Sequence, residues 1–259
     1  MEKFKTLDGK EWNKEDILFR MNEDDFYYNY LGKNALSSSS VTKLLSSPRE
    51  YNSSLNGETE RTPALEFGWL FHTSILEPDV YNEQGFVHVK SKNTKLYKEA
   101  LEKHGRAFTT GDARKVEKLA DSFYNNPIAT RILQHARTEV PAVGYIFGLP
   151  FRAKADILGD GYVADIKTTS KVRGFKHSAY NWNYDSQCYI YCNLFDVKPE
   201  NFAFIALDKE SGLVGIVKGC SEDFYNSGKD KVERACETYR EYFIDKEKDI
   251  GDYYLDIYL

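Results

Sequence analysis

The segment Arg152-Ala-Lys-Ala-Asp156-Ile-Leu-Gly-Asp-Gly-Tyr-Val-Ala-Asp165-Ile-Lys167 concentrates the residues best suited to chemistry. It reads as two short strands joined at Asp160-Gly161, a pair that favours a type I′ hairpin turn, in which both central positions need positive φ. With those two residues as the loop, Gly159 faces Tyr162, and counting back sets Asp156 opposite Asp165 and Lys154 opposite Lys167. Alternation along a strand puts Asp165 and Lys167 on one face and Ile166 on the other. Two carboxylates and an ammonium then share one small patch. Carboxylates this close repel unless a cation lies between them, and hard divalent ions select such oxygen ligands. Metal-assisted attack on a phosphodiester needs these parts: acids to hold Mg²⁺, and a lysine to orient or deprotonate water and steady developing charge. An isolated Asp-x-Lys triplet is more often a solvated surface feature. Here Val163, Ala164 and Ile166 surround the charges with apolar residues, and charges inside an apolar strand need a partner or a purpose.

A helical pattern over 178–195 carries a second set. Tyr180, Tyr184, Gln187 and Tyr191 recur at spacings of 4, 3 and 4 and so line one helical stripe. The plain account is a half-buried face whose tyrosine hydroxyls reach water; beside a metal site the stripe can instead bond a phosphate backbone or a displaced base. Thr62-Pro63 predicts a helix start, with the helix running to Leu76 and stopping before Pro78. It is apolar almost all round, hence buried, and it contains His72. A lone buried histidine is ordinarily a hydrogen-bonded core residue. The serines at 37–40 are N-cap candidates for a helix through Ser46, halted by Pro48, and hydroxyls at a helix start can also hold a phosphate.

The remaining elements follow from periodicity. Residues 1–35 suggest short, irregular structure with tyrosines at 27, 28 and 30. Helices are predicted over 93–104 (closed by Gly105), 112–125, 127–136 and 221–246, the last followed by an aromatic tail. Strands fill 138–167, with a first turn at Gly148-Leu-Pro150, and a further hairpin spans 201–208 and 213–219. No repeat, linker or domain boundary interrupts the pattern, so a single domain over 1–259 is expected, 1–35 being an appendage on a core of 36–259. The fold class is α/β, a central mixed sheet flanked by helices.

The 259 residues, 41% hydrophobic and 29% charged, are ordinary for a globular domain. No apolar run approaches the ~20 residues of a membrane span, and Met1-Glu-Lys-Phe-Lys lacks an apolar leader core; a cytoplasmic location is expected. A net charge of −5 argues against bulk coating of nucleic acid without excluding a local basic groove. Residues 90–118 hold a basic excess, most simply a solvated helical face. The four cysteines form no Cys-x-x-Cys pair, and Cys188 and Cys192 read as helix packing.

With His72, Asp156, Asp165-Ile-Lys167 and Gln187-x-x-x-Tyr191 in that order, the chain resembles the RecB-like branch of the PD-(D/E)XK nucleases, most closely the RecE-type (exodeoxyribonuclease VIII-like) exonucleases of phages and prophages. Leu36-Ser-Ser-Ser-Ser-Val-Thr-Lys-Leu-Leu-Ser-Ser-Pro48 and Phe67-Gly-Trp-Leu-Phe-His72-Thr-Ser-Ile-Leu-Glu-Pro78 also carry the resemblance. It implies metal ligation by Asp156, Asp165, His72 and the Ile166 carbonyl, with Glu139 as an additional acid, and Lys167 as the catalytic lysine acting with the two aspartates. Gln187 and Tyr191, with Arg152, Lys154 and Ser39, would contact DNA. The implied activity is Mg²⁺-dependent digestion of linear double-stranded DNA, 5′ to 3′, leaving 3′ overhangs for recombination, with Mn²⁺ able to substitute. Some relatives carry an iron–sulfur cluster using a cysteine upstream of the histidine; this chain has none before Cys188, so no cluster is expected. The resemblance further implies a homo-oligomeric ring, a single-strand annealing recombinase as partner, and the host cytoplasm if phage-encoded. Alternatives are an end-processing endonuclease with the same site, a nuclease acting on RNA, and a catalytically silent DNA-binding protein of the same fold.

Overall fold

A five-stranded mixed sheet organises the molecule, and its open central hairpin decides where the polar residues gather. The computed structural model describes residues 2–57 and 62–255; the end of the aromatic tail, 256–259, lies outside them. In chain order the elements begin with β1 (Lys3–Lys5), β2 (Glu11–Asn13), α1 (Lys14–Arg20), a π-helical turn (Asp25–Tyr30) and α2 (Leu31–Asn34). Helices α3 (Ser38–Ser46), α4 (Pro48–Asn56), α5 (Pro63–Leu76) and α6 (Pro78–Glu83) follow. Then come β3 (Phe86–Val87), α7 (Lys95–His104), β4 (Phe108–Thr109), α8 (Thr110–Tyr124) and α9 (Pro127–Leu133). The sheet strands are β5 (Arg137–Ile146), β6 (Leu149–Gly159) and β7 (Tyr162–Thr169), and, after α10 (Phe175–Asn181) and α11 (Tyr184–Phe195), β8 (Phe202–Asp208) and β9 (Val214–Val217). The last helix is α12 (Glu222–Tyr239).

The helix starts obey local capping chemistry. Ser37 caps α3 through Ser40 N–H, and Thr62 caps α5 through Leu65 N–H with Pro63 in the first turn. Gly105 closes α7 at φ +67. The final helix is shorter than predicted, passing at Arg240 into a π-helical turn that ends at Ile244.

Strands β5, β6 and β7 are antiparallel, β7 and β8 parallel through the α10–α11 crossover, and β9 antiparallel on the edge. Each face of the sheet buries its own core. One holds Leu36, Phe151, Ile190, Phe204 and Val232 under α3, α11 and α12; the other holds Phe71, Phe123, Ile157, Ile166 and Ile205 under α5 and α8. Residues 1–35 are more regular than predicted: Phe4, Ile17, Met21, Phe26 and Leu31 bury themselves with Val143 of β5.

Two turns differ from expectation. The first is Phe147-Gly148, not Gly148-Leu-Pro150: both take positive φ (48° and 74°), while Leu149 and Pro150 already pair in the ladder. The second does lie at Asp160-Gly161, but only Gly161 has positive φ (74°), so it is not type I′. The pairing of Gly159 with Tyr162 is as counted. Gly159 admits nothing larger because the Tyr162 ring lies where its Cβ would be.

Candidate active site

The β6–β7 ladder runs from Gly159/Tyr162 to Ile157/Ala164 and then stops. A continued ladder would place Asp156 beside Asp165 and satisfy Ile166 N–H from the β6 backbone. Instead the Asp156 carboxylate accepts that N–H at 2.7 Å, wedging the strands apart. The expected pairing of Lys154 with Lys167 is therefore not formed: Lys154 pairs only outward, with Pro141 of β5. The β5–β6 register has its own gap at Glu139 and Asp156, where Glu139 takes φ +51. Strand β6 also changes face there, for Ala153 and Ala155 pack toward α11 while Ile157 packs toward α5. A non-glycine residue with positive φ inside a strand is strained, and such strain collects at functional sites.

Around this opening lie Asp165 and Lys167, on one face of β7 as their alternation requires. Asp165 is almost fully buried. Gln187 Nε2 donates to its Oδ1 at 2.5 Å. Lys167 Nζ stands 2.6 Å from its Oδ2, a close ion pair. The Lys167 ammonium also lies 4.8 Å from the Tyr184 ring centroid. His72 reaches across from α5, with Nδ1 3.4 Å from Asp156 Oδ2. Lys154 Nζ approaches Glu139 at 3.8 Å.

Electrostatics follow from burial. Desolvation, reinforced by Asp165, holds the Asp156 carboxyl well above the usual carboxylate range. Desolvation and then Asp156 push Glu139 up to about 8. Burial lowers His72 to about 4 despite Asp165, so the imidazole is neutral and its Asp156 contact is not an ion pair. For Lys167 burial opposes the charge, but Asp165 and Asp156 outweigh it and keep the ammonium above its ordinary range. The pocket thus holds crowded acids, a neutral imidazole and a buried aspartate whose Oδ2 faces the Lys167 ammonium. That donor set suits a hard divalent cation. Among the described residues no three such donors are drawn close enough to form a preassembled centre, because Lys167, Gln187 and Ile166 N–H engage the aspartates.

The other expected contact residues separate. Tyr191 and Gln187 line the cleft on α11, and Tyr191 Oη donates to the Lys154 carbonyl at 2.9 Å. Tyr180 leaves the stripe: the helix breaks at 182–183, and Tyr180 sits on α10 against Phe224. Arg152 lines the cleft but is engaged, donating from Nε to the Leu31 carbonyl at 3.2 Å beneath the Tyr27 ring. Ser39 is exposed at the start of α3, its hydroxyl 3.0 Å from that of Ser37. Periodicity could not reveal Tyr27, Tyr28 and Asp24, which close the cleft from the N-terminal segment, nor Trp182 at the helix break. Cys188 and Cys192 are free, with sulfurs 3.9 Å apart in the core.

A mixed sheet whose central hairpin opens around Asp156 and the Asp165-x-Lys167 strand, with helices on both faces, is the PD-(D/E)XK nuclease fold. Residues 37–249 match the PDDEXK-like domain family of unknown function (DUF3799), and the chain belongs to that family. The fold is similar to the crystal structure of a candidate exonuclease from Eubacterium rectale, with TM-score 0.64 and 13% identity over 92% of this chain and 95% of that one. A phage-related exonuclease from Haemophilus somnus 129PT matches at TM-score 0.38 and 16% identity, over 85% of this chain and 99% of that one. The first likeness is one of fold alone. No curated protein matches the chain. Among the described residues no helix is long and apolar enough to cross a membrane.

Proposed function

We propose that this protein is a divalent-metal-dependent exonuclease of the RecE type, degrading linear double-stranded DNA from its ends, 5′ to 3′, to leave 3′ overhangs. The observation that carries this reading is the gathering of Asp156, Asp165, Lys167 and His72 where the β6–β7 ladder opens. Asp156, Asp165, His72 and the Ile166 carbonyl would hold Mg²⁺ or Mn²⁺, with Glu139 alongside. A bound ion supplies Lewis acidity and lowers the pKa of coordinated water. Lys167 is charged in this setting, which suits a donor that orients water and steadies phosphate oxygens rather than a base. Gln187 holds the Asp165 carboxylate in orientation, and Tyr191 ties α11 to β6. Ser39, Lys154 and Arg152 border the cleft where a phosphate backbone would pass. We extend the reading to a single nuclease domain that works as a homo-oligomeric ring beside an annealing recombinase.

A timed digest tests it. Linear duplex labelled at either terminus should lose its 5′ label first in Mg²⁺, while covalently closed circles survive, and Asp165→Ala should lower nucleotide release at least about a hundredfold, on the scale of losing a group that stabilises the transition state. Equal release by wild type and variant, or cleavage of circles at the linear rate, would refute the assignment.

A further inference from the structure

We infer that Trp182 is a stacking platform for an unpaired base of the substrate strand, which deepens the nuclease reading and rests on it. The indole lines the same cleft as Lys167, Tyr184 and Gln187, yet is 68% exposed. No other ring or cation touches it among the described residues. The other cleft tryptophan is not free: Trp69 has Phe108 stacked on it at 5.8 Å and the Arg106 guanidinium 3.7 Å from its ring centre. A lone exposed ring is no site by itself, but this one shares a cleft with the catalytic candidates Lys167 and Asp165, and an aromatic face accepts any nucleobase.

The local structure holds this ring outward. Helix α10 ends at Asn181 and α11 begins at Tyr184, with Asn183 in the left-handed region (φ 55°), a conformation asparagine tolerates better than most residues. Lys231 of α12 clamps the corner from behind, donating to the Tyr180 carbonyl at 3.0 Å and pairing with the fully buried Asp185 at 2.9 Å. Ser227 donates to the same carboxylate at 2.7 Å. Gly228 lets the helices meet, since a Cβ there would lie 2.0 Å from the Asp185 carbonyl oxygen. The corner is thus rigid at its base and bare at its tip. The aspartates lie recessed in a cleft of about 880 Å³, Asp165 being almost fully buried. A strand with its bases unpaired reaches such a recessed site more readily than a duplex, and Trp182 lines the same cleft with its ring exposed.

The test is binding, with Ca²⁺ as the divalent ion, of labelled oligothymidylate and of an abasic oligomer of equal length, followed by fluorescence anisotropy. Trp182→Ala should weaken oligothymidylate binding about tenfold or more, the scale of one lost base–aromatic stack. Trp182→Phe should keep most of the affinity, and the abasic oligomer should bind wild type and Trp182→Ala alike. Wild type that binds oligothymidylate no better than Trp182→Ala does, or an equal loss on the abasic oligomer, would overturn the platform alone. Wild type that binds no nucleic acid would overturn it together with the nuclease reading. A normal affinity accompanied by loss of self-association in sedimentation would place the ring at a subunit contact instead and also overturn it.

Discussion

Asp156 does two jobs at once: its carboxylate takes over Ile166 N–H where the ladder would have continued, and it belongs to the acidic cluster. Burial and crowding raise the proton affinity of that cluster. Glu139 is protonated up to about 8 in the folded chain, against an ordinary value of 4.5, and Asp156 is displaced the same way. Through these groups the folded state binds more protons than the unfolded one between those values, so the stability they contribute is full below pH 4.5 and is lost as pH rises toward 8. We expect the melting temperature of the metal-free protein to fall across this window. Mg²⁺ should raise it more at the upper end, where the carboxylates are free to bind it, and Glu139→Gln should flatten the decline. Calorimetry with and without chelator checks this; a profile that rises through the window would contradict the crowded-acid account.

At the scale of elements, capping residues were legible because their chemistry is local: Ser37, Thr62 and Gly105 act within a turn of themselves. Strand alternation likewise put Asp165 and Lys167 together. The register count held only to Ile157/Ala164, because it assumes an unbroken ladder and Asp156 breaks it. The break between α10 and α11 was invisible to periodicity, since Tyr180 sits at helical spacing from Tyr184 although it belongs to a different helix. That corner depends on a long-range ion pair. Lys231→Met should leave Asp185 buried and uncompensated and cost about 3–5 kcal/mol of stability, the usual penalty for halving a buried pair. Asp185→Asn in the same chain should restore part of it. Denaturant titration of the single and double variants measures both, and a single variant within about 0.5 kcal/mol of wild type, as at an ordinary surface site, would show that the clamp is dispensable.

The whole molecule is acidic, at −5, and its cleft is lined by five acidic side chains (Asp24, Glu77, Glu139, Asp156, Asp165) and four cations (Arg152, Lys154, Lys167, Lys209), with Glu139 and Asp156 holding their protons above the ordinary carboxylate range. A divalent ion that displaces those protons offsets the negative charge it releases and adds a positive centre for a phosphate. DNA affinity should therefore require Mg²⁺ or Ca²⁺ and, once that is present, should fall about tenfold between about 50 and 200 mM salt, the response to as few as two phosphate contacts. A salt-insensitive affinity, or equal binding in chelator, would argue against backbone tracking. The N-terminal segment matters at this scale too. It lies outside the family match, which begins at residue 37, yet contributes Asp24, Tyr27 and Tyr28 to the cleft wall.

What residue order alone determined was the identity of the chemical groups, the face each occupies on β7, and most helix boundaries, because these depend on neighbours within a few positions. What only tertiary structure decided was distance: the wedge at Asp156, the approach of His72 from α5, the tether of Gln187 to Asp165 and the exposure of Trp182. The approach of His72 and the tether of Gln187 join separate elements, and their geometry is set by how two cores pack on opposite faces of one sheet, which no local pattern encodes.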